Sequence, residues 1–133
     1  MQKDQFGRLR ILVVEDNIIN QKVIRIILDH NCCQYEIARD GAEAVQMYEN
    51  GVYNLILMDC QMPILNGLQA SEKIRELEDK KKTRRCPIVA MTANAMQGDR
   101  EKCISAGMDD FLSKPFKSKD LLEMLKIWGE KNA

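Results

Sequence analysis

Leu55-Ile56-Leu57-Met58-Asp59-Cys60-Gln61-Met62-Pro63-Ile64-Leu65-Asn66-Gly67 sets four apolar residues directly against a carboxylate. A run so short and so apolar suits a strand buried on both faces, the kind that fills a parallel sheet. Asp59 then stands where the strand leaves the core, and open α/β sheets bind ligands outside the carboxyl ends of their strands. Taken alone, the run is equally compatible with an Asp that serves a turn or caps a helix. The rest of the chain decides between the two.

Working outward, Leu9 to Val14 is a second buried run and passes straight into Glu15-Asp16. Pro87 to Met91 is a third and stops at Thr92, and Asp110 to Ser113 is the last, followed by Lys114-Pro115. Tyr35, Ile37 and Ala38 mark a further short strand. Between the strands lie helical periodicities. Ile19, Val23, Ile26 and Ile27 follow Asp16 or Asn17 as N-cap, with His30 closing that helix. Ala44, Val45 and Tyr48 follow Asp40-Gly41, with Asn50-Gly51 as C-cap. Leu68, Ile74 and Leu77 follow a turn at Asn66-Gly67. A weaker helix runs from Met96 to Ala106 with Gly107 as C-cap, and Ser118 caps one that bears Leu121, Leu122, Leu125 and Trp128. Strand and helix alternate five times, which predicts an α/β fold, (βα)5, with a doubly wound parallel five-stranded sheet covered on both faces.

The totals narrow the function. A chain of 133 residues has room for one core, and 20 basic against 20 acidic residues give no field for nucleic acid or a membrane surface. Residues 1–8 read as a flexible terminal segment and 9–130 as the domain. Five cysteines, an odd number with Cys32 and Cys33 adjacent and no paired zinc or redox spacing, suit a reduced cytoplasmic protein. Met1 to Arg10 has no apolar stretch of signal-peptide length, no segment approaches the roughly twenty apolar residues of a membrane span, and a monomer is expected. His30 is the single histidine, so no His-based catalytic set or metal triad can form. Glu78 to Arg85 (EDKKKTRR) lacks interleaved aromatics and reads as a solvated helix end and loop.

A parallel sheet brings the ends of four strands, Glu15-Asp16, Asp59, Thr92 and Lys114, to one edge. Three carboxylates held close together repel one another and call for a cation, and all-oxygen ligands select a hard one. Magnesium, which keeps several waters, needs no more than Glu15, Asp16, Asp59 and a backbone carbonyl near Gln61. Thr92 offers a hydroxyl and Lys114 an ammonium to phosphoryl oxygens. The set reads as a site for a phosphoryl group on Asp59.

These residues carry a family resemblance. From Leu9 to about Trp128 the chain resembles the receiver domain of two-component response regulators, in the order VVEDN, LMDCQMP, MTANA and the Lys-Pro pair. The resemblance implies a flavodoxin-like strand order 2-1-3-4-5 and Asp59 as phosphoacceptor, forming 4-aspartylphosphate in a phosphorelay. It implies Glu15 and Asp16 as magnesium acids, Thr92 as switch hydroxyl, Lys114 as phosphate-contacting lysine, and a cis Lys114-Pro115 bond. Phe111 stands where many receivers have the switch tyrosine, and Asn66 where many have Asp. Gln61 and Asn94 are the neutral amides expected to set the lifetime of the phosphorylated state. The stretches VVEDNIINQKV and MTANAMQGDREKCISAGMDDFLSKP are most similar to receivers of hybrid histidine kinases. The implied partner is accordingly a histidine phosphotransfer protein or histidine kinase. Ile18, Ile19, Met62, Pro63, Met96 and Pro115 are placed to ring the site with apolar surface suited to a partner helix, although Ile19 and Met96 fit a place in the core equally well. Such a domain promotes its own phosphorylation and dephosphorylation and is not an enzyme with a separate substrate, although its parent protein is compatible with a hybrid kinase. A phosphatase of the haloacid-dehalogenase type would need a general acid two residues after the nucleophile, where this chain has Gln61. A mere docking module would not need the complete acidic and basic set.

Overall fold

A computed structural model describes residues 9–31, 33–60, 66–92, 97–114 and 117–129, with the backbone alone for 97–99 and 129. In chain order the elements are β1 (Arg10–Val14), α1 (Ile18–His30), β2 (Gln34–Ala38), α2 (Gly41–Asn50), β3 (Leu55–Asp59), α3 (Gly67–Lys81), β4 (Ile88–Thr92), α4 (Gln97–Ser105), β5 (Asp110–Ser113) and α5 (Ser118–Met124). A π-helical turn, Leu125–Gly129, extends α5. The sheet is parallel throughout, as the alternation predicts, with order β2-β1-β3-β4-β5, as the resemblance implies.

Alternation along the strands sorts the core into two layers, because successive side chains leave a strand on opposite faces. Ile11, Val13, Leu55, Leu57, Val89 and Met91 meet Ile24, Leu28, Leu121 and Leu125 on one face. Leu12, Val14, Ile56, Met58, Ile88 and Ala90 meet Ala44, Ala70 and Ile74 on the other. Every residue of β3 and β4 is buried, so these central strands have no solvent-facing side. Each large aliphatic side chain so placed contributes about 1.5–3 kcal/mol relative to exposure.

Local chemistry starts the helices. Asn17 Oδ1 accepts from the Asn20 N–H at 3.0 Å, and Asp40 Oδ1 from the Glu43 N–H at 2.8 Å. Asn66, at φ −71°, is the N-cap of α3, in a capping box with Gln69. Ser118 is the first residue of α5 rather than its cap; Lys117 takes that position and its N–H donates to Asp120 Oδ2 at 3.0 Å. Gly107 adopts φ +99°, as a glycine C-cap requires, whereas Gly51 is extended at φ −138°.

Two expectations need correction. On α1 the core stripe is Ile24, Ile27 and Leu28, while Ile19, Val23 and Ile26 face outward. The helix carries two apolar stripes, and the sheet surface selects the one it can cover. The stretch from Glu78 to Arg85 is not uniformly solvated either. Glu78 is buried, accepting from the Tyr48 hydroxyl at 2.7 Å, the Cys86 N–H at 2.8 Å and Arg75 Nη1 at 2.6 Å. Arg75 also donates to the carbonyls of Gly107 and Cys86, each at 2.9 Å, and to Asp109 Oδ2 at 2.8 Å. Asp109 in turn accepts from the Ile88 N–H at 2.9 Å and from Arg85 Nη2 at 2.8 Å. This network closes the sheet at the starts of β4 and β5. Burial and the Glu78 carboxylate push the Tyr48 phenol above its ordinary range.

Candidate functional site

Strand register decides which residues meet at the opposite edge. Val14 pairs with Met58, so Glu15 and Asp59, one residue further on, come level. Asp59 pairs with Met91 and Thr92 with Ser113, which brings Thr92 and Lys114 to the same rim. The main chain continues the ladder there: the Glu15 N–H donates to Ala38 O at 3.0 Å, the Cys60 N–H to Met91 O at 3.0 Å, and the Lys114 N–H to Thr92 O at 2.8 Å. These bonds fix four side chains on separate strands relative to one another.

Glu15 is fully buried; its Oε1 accepts from Lys114 Nζ at 2.8 Å and its Oε2 from the Asn17 N–H at 3.2 Å. Lys114 Nζ also stands 3.3 Å from Asp59 Oδ1. One ligand oxygen from each of Glu15, Asp16 and Asp59 lies within 4.8 Å of the others, with Asp16 exposed and Asp59 buried. Burial alone would push the Glu15 carboxyl up, but hydrogen bonds from Lys114 and the Asn17 N–H hold Glu15 below the usual carboxylate range. For Lys114, burial pulls down, while Glu15 and Asp59 prevail and raise it, so the ammonium stays charged. Three carboxylates against one ammonium leave a net charge of about −2 on these four side chains, a deficit that a hard divalent cation offsets. The all-oxygen donor set fits magnesium, with Glu15, Asp16 and Asp59 as the residues to hold it.

Thr92 is 4% exposed at the end of β4. Phe111 is partly buried on β5, and the Arg100 guanidinium from α4 lies 4.1 Å from its ring centroid, a cation–π contact. Gln61, Asn94, Pro115, Met62, Pro63 and Met96 fall outside the described residues, and with them the backbone ligand near Gln61, the lifetime pair and the Lys114-Pro115 bond.

Two supports escaped sequence reasoning because they act between elements. Gln21 Nε2 donates to Glu15 O at 2.7 Å, tying the first turn of α1 to the end of β1. A Cβ on Gly67 would stand 2.3 Å from Asp59 O, so α3 begins directly against the Asp59 peptide and only glycine allows that approach.

With this geometry established, comparison with known proteins is specific. The sequence profile of the response regulator receiver domain matches residues 11–126. Over 126 residues the chain is 44% identical to hybrid signal transduction histidine kinase B of Dictyostelium discoideum, aligning 88% of this chain with 6% of that protein. The chain thus spans only a small part of the curated relatives it resembles, 4% in the case of hybrid kinase G of the same organism. Among solved structures, the receiver domain of the Saccharomyces cerevisiae response regulator Ssk1, crystallised with the histidine phosphotransfer protein Ypd1, superimposes with a TM-score of 0.91 at 33% identity, covering 96% of this chain and 94% of that one. The receiver domain of a sensor histidine kinase from Pseudomonas aeruginosa, solved with magnesium in its active-site cleft, does so with 0.82 at 46% identity, covering 90% and 96%. Sequence profile, strand order and the acidic edge agree: the chain belongs to the response regulator receiver domain family, the receivers of two-component phosphorelays.

Proposed function

We propose that this chain accepts a phosphoryl group on Asp59 from a phosphohistidine, with residues 9–130 acting as one phosphoacceptor domain on the cytoplasmic side. The observation that carries the reading is the convergence of Glu15, Asp16, Asp59 and Lys114 at one sheet edge. An Asp59 oxygen attacks phosphorus in line, the P–N bond to the donor imidazole breaks, and the group remains as an acyl phosphate. Lys114, already 3.3 Å from Asp59 Oδ1, meets the incoming equatorial oxygens, and Thr92 supplies a hydroxyl donor beside them. Glu15, Asp16 and Asp59 would hold a magnesium ion, which would supply positive charge to offset that of the phosphoryl oxygens. Self-phosphorylation and self-dephosphorylation, not turnover of a separate substrate, are the activity. Gln61 and Asn94 are neutral amides and give an attacking water position but no general base.

Incubation with acetyl phosphate and magnesium tests this. Intact mass is expected to rise by one phosphoryl group, hydroxylamine to remove it, and excess EDTA to prevent it without changing the circular dichroism spectrum. Labelling at full rate in EDTA would refute the role of the acids.

The donor we propose is a histidine phosphotransfer protein, monomer to monomer. Ile18, Ile19 and Ile26 are 67%, 71% and 69% exposed on α1, whose N-terminus borders the acidic edge. An apolar stripe of that kind fits a partner helix presenting a histidine, and the Ssk1 receiver was crystallised with such a protein. Ile19→Asp is expected to slow transfer from a phosphorylated phosphotransfer protein by about tenfold or more, as loss of an interface anchor does. Labelling by acetyl phosphate should be unaffected, since an acid in the first turn suits a helix N-terminus. Equal slowing with both donors would argue against docking there.

A further inference from the structure

Cys60 follows Asp59 at the end of β3, and Cys103 lies on α4, 43 residues along the chain; their sulfurs stand 3.6 Å apart. The other two described cysteines have different surroundings: Cys86 Sγ donates to Tyr53 O at 3.4 Å, and Cys33 Sγ to Asn31 O at 3.8 Å. Both sulfurs of the pair are reduced. Cys103 is 4% exposed, whereas Cys60 is partly open to solvent. A disulfide needs its sulfurs at about 2.05 Å, so the two sulfurs have to approach from 3.6 Å.

We infer that Cys60 and Cys103 form an intramolecular disulfide on exposure to a peroxide, a covalent modification site one residue from Asp59. The sulfur of Cys60, the less buried residue of the pair, attacks one peroxide oxygen; an S–O bond forms, the O–O bond breaks, and the leaving hydroxide takes the thiol proton as water. Cys103 sulfur then attacks the Cys60 sulfenic sulfur; the S–S bond forms, the S–O bond breaks, and a second water leaves with the Cys103 proton. Two thiols lose two hydrogens and two electrons, and one hydrogen peroxide becomes two waters. Burial, with the Cys103 thiol and the Asp59 carboxylate beside it, raises the Cys60 thiol and slows the first step. The second step is favoured by contact, since the attacking sulfur is already within van der Waals reach of its target. The bond would tie α4 to the end of β3.

The test is a thiol map of the full chain, independent of phosphoryl transfer. Reduced protein is treated with hydrogen peroxide, denatured, alkylated with N-ethylmaleimide and digested without reductant. Alkylation is expected at three of the five cysteines, with one linked peptide pair through Cys60 and Cys103, two hydrogens lighter than the separate peptides and parted by dithiothreitol. In Cys103→Ser, which is nearly isosteric, the link is expected to vanish and dimedone to trap Cys60 as its sulfenic acid. The inference fails if Cys60 and Cys103 both remain alkylatable after the other thiols have oxidised. It also fails if wild-type Cys60 proceeds to sulfinic acid without linking.

Discussion

Asp59→Asn is expected to abolish phosphoryl uptake, lowering the rate of labelling by about four orders of magnitude or more, as removal of an enzymic nucleophile does. The amide oxygen is a poor nucleophile and cannot form a stable acyl phosphate. No neighbouring acid can substitute. Glu15 has one oxygen held by Lys114 and the other by the Asn17 N–H, and is completely buried. Asp16 is exposed and lies outside the strand that aims Asp59. The variant is expected to fold normally. Lys114 keeps its 2.8 Å partner Glu15, and one of three mutually repelling carboxylates becomes neutral. Intact mass after acetyl phosphate treatment, beside a urea melt of both proteins, provides the check. Hydroxylamine-sensitive labelling of the variant at a rate comparable with wild type would overturn the assignment of Asp59.

Arg75→Met is expected to produce the largest loss of stability from a residue remote from the acidic edge. The guanidinium is 14% exposed and joins Glu78, which is 6% exposed, to Asp109, which is 14% exposed, while also satisfying two carbonyls. Truncating one member of a buried ion pair costs about 3–5 kcal/mol, mostly through the charge left behind. Asp109 retains Arg85 and the Ile88 N–H, which favours the lower end of that range; Glu78 retains only neutral donors. Urea unfolding should show a lower midpoint at an unchanged slope, and acetyl phosphate labelling of the protein that remains folded should match wild type. A loss below about 1 kcal/mol would mean that water replaces the guanidinium without penalty.

The sequence makes some of this legible and conceals the rest for physical reasons. Strands β1, β3 and β4 are short and apolar in all but a terminal residue, so their existence and the acidic or hydroxyl residues at their ends can be read directly, and alternation with helices then dictates a parallel sheet. The edge cluster follows, because a parallel sheet delivers every strand's carboxyl end to one side. What cannot be read is any choice made by tertiary packing. Residues Val23 to Leu28 are apolar at all positions but Arg25, so helical periodicity fits more than one face, and only the covering sheet distinguishes Ile24 from Val23. Glu78 looks like the start of a charged tail because its partners Tyr48, Arg75 and Cys86 are brought together by three different segments. Gly67 resembles an ordinary turn glycine until the Asp59 carbonyl is seen beneath it.

The Arg75 network occupies the rim of the sheet opposite Asp59, at the starts of the strands whose far ends carry the chemistry. Cohesion and reactivity are thus assigned to separate poles of the same strands. On the proposed function, substitutions in the outward stripe of α1 and the rim around Asp59 would alter the choice of donor, while the opposite pole holds the scaffold intact. On that reading, a change of donor specificity would leave the Arg75 network, and the stability it supplies, untouched.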